Sequence, residues 1–200
     1  MNSDGRVRKL CNVNMAIRSA SAFQDLANSF IEPARNIEPE KAKQYLFDNF
    51  GRLIASATNI SFAIEIYLKA IISHFGSEPK NIHDLLKLFN SLPNKVGSEL
   101  ESIFNESPKS NIGKVGCFHL RSNPGMDVSN KKFDLKSILS SSKDAFVTWR
   151  YLYESKEGEE KGDAVFEFHS LELFASILKE YIIGELKNTH NKNINWKTTR

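Results

Sequence analysis

Residues 59–76 read NISFAIEIYLKAIISHFG, and this is the most apolar stretch of the chain. Its aliphatic and aromatic residues recur at steps of three and four, which predicts an α-helix. Nearly the whole circumference of that helix is apolar, as expected for the central helix of a bundle rather than a half-exposed one. The residues that set the period are Ile60, Ile64, Leu68, Ile71 and Phe75.

The same period extends toward the N-terminus, so the predicted helix begins near Pro39 and ends at Gly76. At about 1.5 Å per residue such a helix would be about 55 Å long. This length leaves two alternatives open. The helix is continuous, or Gly51 or Asn59 marks a kink or a break between two helices.

Helical spacing also recurs in five further segments. Asn81 is expected to cap the N-terminus of the segment that begins at residue 81. These predicted helices span 12–31, 81–92, 94–104, 134–154 and 171–186. Residues 164–168 alternate like a short strand, but no predicted strand is long enough to found a sheet. The sequence therefore predicts an all-α, single-domain helical bundle over residues 1–200, with its core at 12–186 and a disordered tail at 188–200.

Residues 106–132 are rich in Ser, Asn, Gly and Pro and have no sustained period, which predicts one long loop. The chain carries 27 basic and 24 acidic residues, a net charge of +3. This loop alone has a surplus of that size, so Lys114 and Arg121 are candidate binding residues for an anionic partner. The alternative is a surface loop whose lysines keep it soluble. Its charged residues from position 111 onward are Lys114, Arg121, Asp127, Lys131 and Lys132.

Several classes of protein are disfavoured by what the sequence lacks. The N-terminus has no apolar run typical of an export signal, and the apolar stretch 60–75 is shorter than the roughly 20 residues of a membrane span, so a cytoplasmic location is expected. No phosphate-binding glycine loop or zinc-protease motif occurs. Cys117 and His119 supply only two donors where zinc takes at least three, so neither metal nor cofactor is expected.

Glu65 and Lys69 are the charged residues that interrupt the apolar helix, and they lie one turn apart. An ordinary intrahelical ion pair would explain them. Burying a charge without partners is costly, so we expect both to meet further polar groups, and such a buried cluster would be either a candidate binding site or a structural network. The candidate partners are His83, Asp84, Arg150 and Glu154.

The segment WRYLYE, residues 149–154, places Arg150 among aromatic residues that include Tyr153. A guanidinium binds phosphate in a forked geometry, and aromatic faces stack on unpaired bases, so this pattern suits contact with RNA. The alternative is a packed helix in which Arg150 pairs with Glu154 one turn later.

Three of these segments, NISFAIEIYLKAIISHFG, HDLLKLF and FVTWRYLYE, follow one another in an order that resembles HEPN-domain proteins (higher eukaryotes and prokaryotes nucleotide-binding). The resemblance covers about residues 40 to 186. It implies a small helical bundle that forms a homodimer and binds RNA or a nucleotide. Many members of the family act in bacterial defence or toxin–antitoxin systems as metal-independent ribonucleases.

The family's catalytic signature is an Arg followed by a His after four to six residues, and none of the eight arginines of this chain has a His at that spacing. Arg150 lies in the helix where the motif is expected, with Glu154 after it. In a metal-independent endoribonuclease, Arg150 would stabilise the phosphorane and His83 would take the 2′-hydroxyl proton. The sequence thus favours an RNA- or nucleotide-binding protein, with a noncatalytic adaptor for a partner protein and this ribonuclease as alternatives.

Overall fold

A computed structural model describes residues 12–31, 41, 44, 48–107, 117–120, 134–142 and 164–198. These residues are mostly helical, which confirms the predicted all-α class. The helices are α1 (Val13–Ile31), α2 (Phe50–His74), α3 (Leu85–Phe89), α4 (Asn94–Glu106), α5 (Leu135–Ser141) and α6 (Phe168–Thr198). The strands are β1 (Cys117–Leu120) and β2 (Ala164–Glu167).

The helix α2 is the centre of the bundle, as its sequence predicts. It packs most extensively against α1 and then against α6, and it also contacts α3. Residues Ile60, Ile64 and Leu68 have no exposed surface. Among the described residues, Gly51–His74 is long and apolar enough to cross a membrane, but 61% of its apolar window is buried inside the protein, as in the core helix of a bundle.

The start of α2 shows which of the two predicted interruptions, at Gly51 or at Asn59, is present. Asn49 has φ −114° and ψ 17°, outside the helical region, and the helix begins at Phe50, just before Gly51. Asn59 lies within an unbroken helix, where its Nδ2 donates to the carbonyl oxygen of Ala55 at 2.7 Å. The amide of Asn59 is therefore satisfied by its own helix and causes no break.

The short helix α3 begins later than predicted, because its N-cap is Asp84 and not Asn81. Asp84 is extended (φ −71°, ψ 106°), and its carboxylate accepts from the backbone N–H of Lys87 at 2.9 Å. A carboxylate directly before the first buried leucine is in the right position to bind the free amide groups of the first turn. Asn81 is too far from that turn to reach them.

The helix predicted over 134–154 does not run unbroken, because α5 ends at Ser141; the prediction for residues 143–154 is not tested. Serines occupy positions 140–142, and the Ser141 hydroxyl donates to the carbonyl of Ile138 at 2.9 Å. Serine side chains compete in this way for backbone hydrogen bonds and favour helix ends. Residues 143–163 lie outside the described part of the chain.

The predicted long loop, 106–132, contains the strand β1, which sequence periodicity missed. Residues 117–120 pair antiparallel with 167–164, so that Cys117 lies opposite Glu167 and Leu120 opposite Ala164. The strand predicted at 164–168 is confirmed for 164–167, and Phe168 instead begins α6. A four-residue strand whose partner is over 40 positions away depends on tertiary pairing, which local patterns do not reveal.

The last helix, α6, continues through Thr198, which corrects the predicted disordered tail at 188–200. After Gly184 the sequence contains neither glycine nor proline, so no residue type stops the helix. On its buried side, the ring of Phe174 makes edge contacts with Phe89 of α3 and Phe104 of α4, each at a centroid distance of 6.0 Å. These contacts attach α3 and α4 to the core.

Candidate functional site

Glu65 of α2 joins two basic side chains in one cluster. Its Oε1 accepts from Nζ of Lys69 at 2.7 Å, and its Oε2 lies 3.0 Å from Nδ1 of His83. Nδ1 of His83 is also 3.2 Å from Oε1. The structure thus brings together three of the residues that the sequence singles out, and we call Glu65, Lys69 and His83 the Glu65 cluster.

Local structure explains why these side chains meet. Glu65 and Lys69 are four residues apart on α2 and therefore share one face of the helix. His83 lies in the nonhelical segment just before α3, at 18 positions from Glu65. The buried side chains of Leu85 and Leu88 anchor α3 in the core, and this anchoring places His83 against α2.

The three side chains differ in how far they reach solvent. Glu65 is 3% exposed, whereas the side chains of Lys69 and His83 are 22% and 50% exposed. The carboxylate is therefore at the bottom of the cluster and the two nitrogen-bearing groups lie above it. A molecule that approaches from solvent therefore meets the side chains of Lys69 and His83.

The contact with Glu65 also sets the hydrogen position on His83. An ionised carboxylate can only accept hydrogen bonds, so Nδ1 of His83 must carry hydrogen in this pair. In the neutral ring Nε2 is then the acceptor nitrogen, which is the tautomer that a general base requires. The arrangement of carboxylate and imidazole is thus chemically able to support proton transfer at Nε2.

Asp84 has the contacts of a helix cap. Besides accepting from the backbone N–H of Lys87, its carboxylate lies 3.2 Å from Nζ of the same lysine. Desolvation by itself would raise the pKa of Asp84, but the hydrogen bonds and the charge of Lys87 outweigh it and lower the pKa. The sequence named Asp84 as a binding residue, and the contacts described here are with its own helix.

The other predicted site residues lie outside the described part of the chain. This applies to the candidate catalytic residues Arg150 and Glu154 and to the candidate binding residues Tyr153, Lys114 and Arg121. Among the residues that are described, no group of three or more His, Cys, Asp or Glu side chains is arranged to hold a metal ion.

Sequence reasoning missed a second polar network, which lies in the core beside α2. The Tyr67 hydroxyl donates to Oε1 of Gln24 at 3.2 Å and lies 3.0 Å from the hydroxyl of Ser21. Nε2 of Gln24 in turn donates to Ser176 at 3.0 Å. The position of Gln24, four residues after the buried Ala20 of α1, was the available signal for a buried amide.

The network acts on the ionisation of Tyr67. Desolvation raises the pKa of its hydroxyl, the hydrogen bond with Ser21 lowers it in part, and the charge of Asp25 raises it further. The net result is a raised pKa, so Tyr67 stays neutral and keeps the hydrogen that it donates to Gln24. This network links three helices and has the character of a structural element.

The chain matches no protein-family model, no curated protein and no solved structure.

Proposed function

We propose that this chain is a HEPN-like cytoplasmic protein that binds RNA or a nucleotide, acts as a homodimer, and belongs to a bacterial defence or toxin–antitoxin system. The resemblance of its three motifs to HEPN domains supplies the family and the biological setting. The observation that carries the binding role is the contact of one buried carboxylate with both Lys69 and His83.

The order of exposure in the Glu65 cluster supports an anionic ligand. The negative charge is buried, and the side chains of the cluster that keep exposed surface are those of Lys69 and His83. Phosphate oxygens accept hydrogen bonds from such groups, and charge-assisted bonds of this kind are the strong ones. Both motifs that contribute the cluster, on α2 and before α3, belong to the resemblance to HEPN domains.

A second candidate function, metal-independent endoribonuclease activity, is favoured by the tautomer that Glu65 imposes on His83. With hydrogen on Nδ1, the Nε2 atom of His83 would take the proton from the 2′-hydroxyl. The Arg150 guanidinium would stabilise the negative charge of the phosphorane, and Glu154, four residues later in the sequence, is the group that would pair with and neutralise Arg150. The 2′-oxygen then attacks the adjacent phosphorus to form a cyclic phosphate, the P–O5′ bond breaks, and the 5′-oxygen leaves with a proton from water, so the route uses no metal ion.

The test is an assay with labelled single-stranded RNA in the presence of a chelator. The variants are His83→Ala, Lys69→Met and Arg150→Ala, with His74→Ala and Arg52→Ala as matched controls outside the cluster. If the protein binds RNA, affinity falls steeply as salt rises, because phosphate contacts release counterions. Lys69→Met should weaken binding roughly tenfold, the size expected from the loss of one charge-assisted contact, while Arg52→Ala binds as wild type does.

The outcomes separate the candidate functions. Cleavage with chelator that is lost in both His83→Ala and Arg150→Ala, but kept in His74→Ala, supports the ribonuclease. Binding without cleavage supports the RNA-binding role alone. Absence of RNA and nucleotide binding at low salt contradicts both and leaves the noncatalytic adaptor, which would dock a partner protein.

A further inference from the structure

The outer face of α1 exposes two large apolar side chains. Met15 is 63% exposed and Leu26 is 43% exposed, the two highest values among the large hydrophobic residues of the described part of the chain. They lie eleven residues apart, three helical turns, and so share one side of the helix. The opposite side of α1 carries the buried Ala20, Gln24 and Ala27, which attach the helix to the bundle.

Small residues lie between the two apolar side chains. Ser19 and Ala22 are exposed, and together with Met15 and Leu26 they occupy an arc of about 60° on the helix surface. We call these four residues the α1 face. Because its middle has only a hydroxymethyl and a methyl group, a second helix can approach this face closely.

One edge of the α1 face carries two opposite charges. Arg18 and Asp25 are both exposed and project within about 20° of each other around the helix. They are seven residues apart, which is about 10 Å along the axis and too far for an ion pair within α1. Within the described residues, neither side chain forms a salt bridge.

We propose that the α1 face is the contact between two copies of this chain, with the two α1 helices antiparallel about a two-fold axis that passes between residues 21 and 22. Arg18 and Asp25 are equally distant from that axis, about 5 Å along the helix in opposite directions. The two-fold therefore places Arg18 of each copy level with Asp25 of the other. The rotation also keeps both charges on the same edge of the interface, so two identical ion pairs form.

The apolar residues fit the same axis. Met15 is about 10 Å from the axis in one direction and Leu26 about 7 Å in the other, so each Met15 packs beside Leu26 of the second copy. Ala22 meets its own counterpart at the centre. An interface of this kind is isologous, and its charges flank an apolar seam as they do in a coiled coil. The self-complementary charges identify a second copy, rather than an unrelated protein, as the occupant.

Charge reversal tests the arrangement. Sedimentation equilibrium of the full chain should show a dimer at about 100 µM. Arg18→Asp and Asp25→Arg should each raise the dissociation constant about tenfold, because each puts like charges opposite one another twice. The double variant Arg18→Asp/Asp25→Arg should restore the wild-type constant. The proposal would be overturned if the wild-type chain were monomeric or if the single variants had the wild-type dissociation constant. It would also be overturned if the double variant dimerised as weakly as the single variants do.

Cross-linking provides a test that does not depend on affinity. In a Cys11→Ser/Cys117→Ser background, Ala22→Cys should form an intermolecular disulfide, because the two-fold brings both Cα atoms within about 7 Å. Ser29→Cys is the matched control, since it is exposed on α1 but about 22 Å from its counterpart along the axis. A disulfide at position 29 and none at position 22 would contradict the proposed axis. The α1 face rests on the proposed function only in specifying its homodimer; it does not depend on RNA binding, so sedimentation and cross-linking test it separately from the RNA assays.

Discussion

Glu65 is the residue on which the candidate site depends. A carboxylate that is 3% exposed in an apolar helix would be strongly destabilising by itself, and its contacts with Lys69 and His83 offset that cost. Because both partners are partly exposed, each keeps access to solvent while it binds the carboxylate. This combination of a buried acceptor and accessible donors distinguishes the cluster from a surface ion pair.

Replacing Glu65 by Gln should lower the free energy of unfolding by about 1–3 kcal/mol, because the two charge-assisted hydrogen bonds become weaker and the amide hydrogens oppose Lys69. Urea denaturation at pH 7 measures this. Glu78→Gln is the control, since Glu78 is exposed and should change stability by less than about 0.5 kcal/mol. Equal effects of the two substitutions would mean that the Glu65 contacts contribute nothing.

Tyr181 of α6 should titrate far above an ordinary tyrosine. Desolvation, together with the charges of Glu99 and Glu185 and a hydrogen bond with Glu99, raises its pKa to about 12. The folded state therefore holds this proton more tightly than the unfolded state does, and stability should fall as the pH rises from about 10 to 12. Ultraviolet titration of wild type against Tyr181→Phe measures the pKa, and a difference spectrum that titrates near 10 would contradict it.

At this scale the sequence predicted part of the site for identifiable reasons. Glu65 and Lys69 were conspicuous because they are charges in an apolar period, and His83 because it precedes a short amphipathic helix. The pairing of Glu65 with His83 over 18 positions required the fold. The buried amide of Gln24 was not predicted, because glutamine is usually a surface residue and its residue type alone does not indicate burial.

The elements of the bundle end where side chains satisfy their backbone groups. Asp84 begins α3 and Asp134 begins α5 by the same chemistry, since the Asp134 carboxylate accepts from the backbone N–H of Ser137 at 3.0 Å. Periodicity predicted that these helices exist, because it reports which face is buried. It placed the start of α5 correctly but missed the start of α3 and the end of α5, because a single cap and a run of serines decide those two ends.

Substituting Asp84 by Ala should destabilise the protein by about 1 kcal/mol, because the cap of α3 is lost, whereas Asp84→Asn retains an acceptor oxygen and should cost less. The lowered pKa of Asp84 adds a pH dependence to this difference. A carboxylate with a depressed pKa stabilises the fold above its ordinary titration range, and this contribution is lost as the pH falls below about 4. Denaturation curves of all three proteins at neutral and acidic pH test both effects.

The whole molecule is held together by the burial of α2 and by the Tyr67 network. Tyr67 of α2 hydrogen-bonds to Gln24 of α1, which hydrogen-bonds to Ser176 of α6, so that one chain of hydrogen bonds joins the three longest of the described helices. Apolar packing alone would tolerate sliding of these helices. Polar contacts with defined partners fix their register.

Removing the Tyr67 hydroxyl should cost about 1–2 kcal/mol, because the Gln24 oxygen is left unpaired in the core. The double-mutant cycle of Tyr67→Phe with Gln24→Leu measures the coupling by urea denaturation. We expect the double variant to be less destabilised than the sum of the singles. Strict additivity would show that the network does not act as a unit.

The central feature of the proposed site is a buried carboxylate that orients His83 toward an incoming ligand. Long-range proton–nitrogen correlation spectra of the neutral His83 ring test this orientation most directly. We predict that hydrogen resides on Nδ1 in the wild type and that Glu65→Leu shifts it toward Nε2, the form preferred by a free imidazole. A wild-type ring with hydrogen on Nε2 would contradict the account.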